Sequence, residues 1–353
     1  MSRGLVSTVK PAAGFTLKTA VQVARSVVAI VAATGMLAGT QRLSAQSRAT
    51  AVHTDTFWTQ SLGVRKALTV YLPPSYATSP ARRYPVLVYL HGLTGNERNW
   101  VDNGRLDQSL DSLAAAGRGE AIVVMPDGDD SWYTTWNILA ASPPCPSDTV
   151  RKESAATYCV PWTHYDDYIA RDLVSYVDSH YRTISDRRHR AIAGLSMGGY
   201  GAVTLALAYP DVFGAAASHS GVLSPRFLGP KPFAPPARHA SDSTQFKRAV
   251  GGLWKSMLPA FGHDTIGWTA RDPARIALRA QQRQRADKTP IPALRIDCGA
   301  QDQYVDQNRD FHAALERLGV PHEYAEWPGK HDWSYWRIHA VESLTFLLQH
   351  TSP

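Results

Sequence analysis

Ala191-Ile192-Ala193-Gly194-Leu195-Ser196-Met197-Gly198-Gly199-Tyr200 is the stretch on which the reading of this chain turns. An apolar run enters Gly-x-Ser-x-Gly and leaves it into a segment rich in small residues, Gly201, Ala202, Ala206 and Ala208. A strand that turns sharply into a helix leaves the serine hydroxyl projecting at the sheet edge. A side chain at 194 or 198 would collide across such a turn, so glycine is used there. The helix start also directs unpaired backbone N–H groups toward the same place. This context makes Ser196 a candidate nucleophile and not a bystander in a glycine-rich turn.

Working outward, short apolar runs bounded by Gly or Pro occupy 68–72, 84–90, 121–125, 190–194, 214–218 and 293–298. Continuous runs of this length are what strands buried on both faces look like. Helical patterns at 107–116, 168–181, 198–208, 307–318 and 338–348 alternate with them. The alternation predicts an α/β chain with a mostly parallel central sheet and helices on both faces. The stretch 223–290 breaks the rhythm with Pro225, Pro230, Pro232, Pro235 and Pro236, then a helix pattern at 244–258. It reads as an insertion, either capping a substrate pocket or forming an inert surface excursion.

A serine hydroxyl needs a base, and the base needs an orienting carboxylate. Asp302 lies in Cys298-Gly299-Ala300-Gln301-Asp302, just past the last clear strand. Asp297 sits inside that strand and Asp306 opens the next helix, so both are less well placed. His331 lies in Pro328-Gly329-Lys330-His331-Asp332-Trp333, a turn between a strand at 323–327 and the last helix. His219 follows a strand but precedes the acid, against the Ser, Asp, His order of this arrangement. Oxyanion donors are expected from the N–H of Met197 and of Leu93, the latter in the loop His91-Gly92-Leu93-Thr94-Gly95. His91 itself reads as structural, holding that loop.

The chain resembles the putative esterase family of α/β-hydrolases, which includes tributyrin and feruloyl esterases, S-formylglutathione hydrolases and mycolyltransferases. The segments that carry the resemblance are VYLPPSY (70–76), YPVLVYLHGLTG (84–95), MPDGDDSWYTTW (125–136), YIARDLVSYVDSHY (168–181), GLSMGGYGA (194–202), CGAQD (298–302) and GKHDWSYW (329–336). The resemblance implies the α/β-hydrolase fold, a triad of Ser196, Asp302 and His331, and an oxyanion pair of Leu93 and Met197. It implies serine carboxylic-ester hydrolysis without a cofactor. An acyltransferase, an S-formylglutathione-hydrolase-like thioesterase and a non-catalytic glycan-binding module are the rival readings. The 223–290 insertion falls in the family's variable region, so substrate preference does not carry over.

Of the net charge of +7, five units lie in residues 1–45, which hold no Asp or Glu. The +2 on the remainder gives no electrostatic reason to bind nucleic acid. Residues 1–45 read as a signal peptide: a basic leader, an apolar run at 27–38 too short for a comfortable membrane span, and Leu43-Ser44-Ala45 as the cut site. Residues 46–353 then form one exported esterase domain with no stable membrane span, acting on a small-molecule or glycan-linked ester. Cys145 and Cys159 are candidates for a disulfide across a Pro- and Ser-rich loop, or are two loop thiols, and Cys298 reads as core. The cysteine spacing makes no metal pattern. Asp127, Asp129 and Asp130 invite a calcium reading, although a solvated turn accounts for them better. Trp132, Trp136 and Trp333 are candidates for substrate stacking, with Tyr133 and Trp336 beside them.

Overall fold

Strands that are apolar on both faces require helices on both sides. The structure, a computed structural model, describes residues 52–136 and 159–352. The strands are β1 (Val52–Thr59), β2 (Val64–Tyr71), β3 (Val86–Leu90), β4 (Ile122–Pro126), β5 (Arg190–Leu195), β6 (Ala215–His219), β7 (Phe227–Gly229), β8 (Arg238–His239), β9 (Ala293–Gly299) and β10 (Glu323–Trp327). Eight of them form one sheet in the order β1-β2-β4-β3-β5-β6-β9-β10, and β7 with β8 forms a small separate ribbon. β2 runs antiparallel to both β1 and β4, and every other neighbour pair of the large sheet is parallel.

Alternation along each strand sorts the core in two. Val86, Val88 and Leu90 of β3, Ile122 and Val124 of β4 and Ile192 of β5 join one cluster. Leu87, Tyr89, Val123, Met125, Ala191, Ala193 and Leu195 join the other. The first face is covered by four helices. They are α2 (Tyr165–Asp167, a π turn over Tyr168–Asp172, then Leu173–His180), α3 (Met197–Ala208), α7 (Pro273–Asp287) and α8 (Val305–Leu318). The second face takes α1 (Leu106–Ala115) and α9 (Trp333–Thr351). α3 is buried from Met197 to Leu207, which is why it is built from Gly and Ala: small side chains let it lie close on the sheet.

Two expectations are corrected. The first strand pair starts earlier than 68–72, because β1 is an edge strand with exposed Thr54, Thr56 and Trp58 and lacks an apolar run. The 223–290 stretch is not one insertion. Its second half is α7, which packs on α3 as the crossover from β6 to β9. Its first half holds the β7–β8 ribbon, α4 (Ser243–Val250), α5 (Trp254–Phe261) and α6 (Thr265–Ala270). The leader and Cys145 lie outside the described residues. Cys159 is disulfide-bonded, and Cys298 is free and buried. Among the described residues, no helix is long and apolar enough to cross a membrane.

Leu344 of α9 is fully buried in the second cluster. Leu344→Ala is expected to cost about 2–5 kcal/mol, read as a lowered denaturant midpoint with unchanged slope.

Candidate active site

At the end of β5 the chain reverses into α3 within a single residue. Ser196 has φ 54° and ψ −115°, a conformation rare for a side-chain-bearing residue. Its N–H donates to the carbonyl of His219 on the adjacent strand (2.9 Å), and its carbonyl accepts from Tyr200 N (3.0 Å). A Cβ on Gly194 would lie 2.4 Å from the backbone of Gly198, and one on Gly198 would lie 2.4 Å from the Leu90 carbonyl oxygen. The turn therefore exists only with glycine at both positions.

The acid and base arrive on neighbouring loops. β9 and β10 pair in parallel with Gly299 opposite Trp327, so the loops that follow leave the sheet side by side. They are laced together: Gln301 N–H donates to the Gly329 carbonyl (3.0 Å), and Gly329 N–H to Gln301 Oε1 (2.8 Å). Asp302 is 3% exposed and accepts from Tyr304 N–H at Oδ1 (2.8 Å). Immediately after His331, Asp332 caps α9, its carboxylate accepting from Ser334 N–H (2.9 Å). That cap fixes where the histidine turn ends.

The structure brings Ser196, His331 and Asp302 together. His331 Nδ1 lies 2.8 Å from Asp302 Oδ2 and Nε2 lies 2.9 Å from Ser196 Oγ. The carboxylate keeps the ring proton on Nδ1, leaving Nε2 as the acceptor of the serine proton. The ring is held edge-on between Tyr304 and Trp336, with centroids at 4.9 and 4.8 Å. Ser196 and His331 open into a cavity of about 250 Å3 whose walls include Leu93, Leu253, Tyr304 and Trp333. Leu253, just before α5, is what the insertion contributes.

The rival residues form a constellation of their own. His219 Nε2 lies 2.8 Å from Ser343 Oγ, and Nδ1 lies 2.9 Å from Asp297 Oδ2. All three are 0% exposed, and Tyr335 Oη–H also donates to Asp297 (3.0 Å). The distances match those at Ser196, but no substrate reaches a sealed group. This cluster supports the elbow through the His219 carbonyl.

The aromatic candidates separate. Trp333 and Trp336 line the cavity. Trp132 is fully buried, edge-on to Tyr200 and Phe261, and is corrected to a core residue. Trp136 is half-buried against Tyr165 and donates from Nε1 to the Ser131 carbonyl (3.1 Å), and it is not among the residues that line the cavity.

Met197 N–H opens α3, where helix amides have no intrahelical acceptor. Leu93 follows a peptide that is firmly oriented. Gly128 N–H donates to His91 Nε2 (2.9 Å), so Nδ1 carries the ring proton and donates to the Gly92 carbonyl (2.8 Å). Gly95 N–H donates to the same oxygen (3.0 Å). Carbonyl and N–H of one trans peptide point in opposite directions, so fixing Gly92 C=O fixes Leu93 N–H.

The loop that supplies Gly128 is anchored by Lys66 and Tyr165, which the sequence did not flag. The Lys66 ammonium, fully buried on β2, contacts Asp127 Oδ2 (2.7 Å) and Asp129 Oδ1 (2.9 Å). Asp129 also accepts from Tyr165 Oη–H (2.8 Å), and Asp130 from Thr94 N–H (2.6 Å). The solvated-turn reading of Asp127 and Asp129 is thus overturned. The available signal was the run of three carboxylates directly after β4, whose sheet neighbour β2 carries a lysine. Burial pushes the Asp127 carboxyl up, but Lys66 and His91 together outweigh it and hold it below the usual range. Burial, then the Asp127 charge, pushes Asp129 up to about 6.

Among curated proteins and solved structures the chain has clear relatives. The family described as "Putative esterase" matches residues 59–347. The chain is 28% identical over 293 residues to Esterase Rv1288 of Mycobacterium tuberculosis, covering 78% of this chain and 54% of that protein. The chain therefore spans about half of that relative's length. Acetyl esterase of Caldicellulosiruptor saccharolyticus is 26% identical over 263 residues, 74% of this chain and 82% of that protein. A ferulic acid esterase structure is similar with TM-score 0.62 at 26% identity, over 85% of this chain and 98% of its own. S-formylglutathione hydrolase of Staphylococcus aureus gives 0.58 at 25%, over 84% and 98%.

Lys66→Met would leave two buried carboxylates without their cation, an expected loss of about 3–5 kcal/mol at neutral pH. Without the ammonium Asp127 loses the charge that holds its pKa down while burial still pushes it up, and Asp129 rises further, so both folded-state values lie above the unfolded one. Their protonated forms therefore support folding below that value, and the support is lost as pH rises through the folded pKa. The deficit against the parent protein should shrink between pH 7 and 5 in denaturant titrations. A deficit independent of pH would count against the buried pair.

Proposed function

We propose that this chain, which belongs to the putative esterase family of α/β-hydrolases, is an exported serine carboxylic-ester hydrolase. The observation that carries the reading is the continuous relay from Ser196 Oγ through His331 to Asp302, opening on a cavity. In the first step His331 Nε2 takes the hydroxyl proton as Ser196 attacks the ester carbonyl, while Asp302 stabilises the imidazolium that forms. The oxyanion is received by the N–H groups of Leu93 and Met197, each donor contributing about 100- to 1000-fold in rate. His331 then protonates the departing alcohol. In the second step water attacks the acyl-Ser196 ester, His331 again acting as base, and the acid is released.

The cavity favours a compact acyl group. At about 250 Å3 it lies below the roughly 300–1,000 Å3 usual for drug-sized ligands, and Leu93, Leu253, Tyr304 and Trp333 wall it. This suits an acetyl group, the one in the name of the Caldicellulosiruptor relative, better than a feruloyl group. Residues 1–45 are read as the export signal, removed after Ala45.

Ser196→Ala should lower turnover of nitrophenyl acetate by about four to six orders of magnitude with circular dichroism unchanged, and should abolish labelling by a fluorophosphonate. Near-normal activity in that variant overturns the mechanism. Across nitrophenyl esters of rising chain length, with methyl ferulate alongside, kcat/KM should peak at short chains. Product analysis with an added alcohol acceptor separates hydrolysis from acyl transfer. Mass spectrometry of the secreted form should place its first residue at Gln46.

A further inference from the structure

Arg271, Arg279 and Arg283 line a second cavity, of about 210 Å3, which shares no lining residue with the one at Ser196. Arg279 and Arg283 stand four residues apart on α7, so their guanidinium groups share a helix face, an arrangement that like charges disfavour. Arg271 comes from the end of α6, and Tyr200 and Thr204 of α3 complete the wall.

The three side chains are tethered through main-chain carbonyls. Arg271 Nη2 donates to Thr135 O (2.6 Å), Arg279 Nη2 to Ala270 O (2.7 Å) and Arg283 Nη2 to Leu207 O (2.5 Å). Arg190 and Arg309 are matched by acids, Asp178 and Glu326, both at 2.6 Å, whereas Arg182 and Arg187, like these three, bond to main-chain carbonyls. Among the described residues no carboxylate pairs with Arg271, Arg279 or Arg283. Asp166 is the single acid of the described lining, and its oxygens accept from the hydroxyls of Thr135 and Tyr209. The Nε of Arg271 is buried without a hydrogen-bond partner. Burial, then the charge of Arg283, pushes the Arg279 pKa down, against a smaller opposing pull from Asp272.

We infer that this cavity is a binding site for a small dianionic oxyanion of the phosphate type, separate from the ester site. The lining carries a net +2, which one phosphate group neutralises at pH 7. Tethering by one or two nitrogens leaves the remaining guanidinium N–H groups to fork onto its oxygens, the geometry arginine offers and lysine does not. The volume is several times the roughly 30 Å3 a water molecule occupies, so the group enters without displacing side chains. Inorganic phosphate and a phosphate monoester present the same chemistry.

The test is calorimetry and thermal melting of the full chain at constant ionic strength, with inorganic phosphate and glycerol phosphate as separate arms and acetate as the monoanion control. Either phosphate species should bind saturably with one site per chain and raise Tm, and acetate should not. A response to glycerol phosphate alone would identify a monoester as the ligand. Binding should persist in Ser196→Ala and weaken at least tenfold in Arg279→Gln/Arg283→Gln. Should that double variant fail to fold, Arg279→Lys and Arg283→Lys singly keep the charge and remove the fork, with a several-fold loss expected. A response matched by chloride at equal ionic strength, or undiminished binding in the arginine variants, would overturn the site. None of these readouts depends on ester cleavage, so the inference stands or falls apart from the catalytic proposal.

Discussion

Everything at the Ser196 end of the sheet depends on a main-chain close approach at the turn from β5 into α3. Hydrogen atoms at 194 and 198 are all that can stand between the strand end, the first helical turn and the β3 loop. The strained backbone of Ser196 persists because the surroundings over-determine it: its N–H is held by β6 and its carbonyl by the helix it begins. The same approach brings the His91–Gly95 loop beside the serine, so the glycines that allow the elbow also place the loop proposed to receive the oxyanion.

Among the described residues two Ser, His, Asp arrangements have nearly equal distances, and one of them opens on a cavity. The group at Ser343, His219 and Asp297 is sealed, roofed by Tyr335 and Tyr89, and its serine also donates to the Ala340 carbonyl. The group at Ser196 opens on a cavity with the imidazole partly solvated. The heavy-atom spacing is therefore common to both, and the commitment of the Ser343 hydrogen to Ala340, together with access for a substrate, is what distinguishes them. Sequence order pointed the same way by a different argument, since His219 precedes the acid.

Elements buried on both faces were readable in the sequence because burial writes a continuous apolar run, as in β3, β4 and β5. β1 was not, because an edge strand needs only Phe57 and Thr59 inward and is otherwise polar. The α7 crossover was hidden behind prolines and a run of charged residues, although its Ile276, Ala277 and Ala280 face the core. The three residues Ser196, Asp302 and His331 were legible because each follows a strand within a recognisable turn. Lys66 was not: nothing local to a lysine reveals that it is buried, and its carboxylate partners lie 61 and 63 residues away. The orientation of the Gly92 peptide was beyond reach for the same reason, since it depends on a His91 tautomer set by Gly128. Trp132 misled because an aromatic beside an active-site loop has the same sequence appearance whether it faces solvent or core.

The segment between β6 and α7 has a consequence for how such a protein changes over time. Its ends attach to framework elements whose register is fixed by sheet pairing, and it touches the ester cavity through Leu253. Closure entropy rises by only about 0.6 kcal/mol for each doubling of a loop's length. The exposed stretch 230–239 can therefore change length with little thermodynamic burden, while Phe246, Phe261 and Trp268, buried in the core, hold the rest of the segment in place. Selection can remodel what the cavity admits without touching the atoms that react, a separation that makes the scaffold readily redirected to new esters.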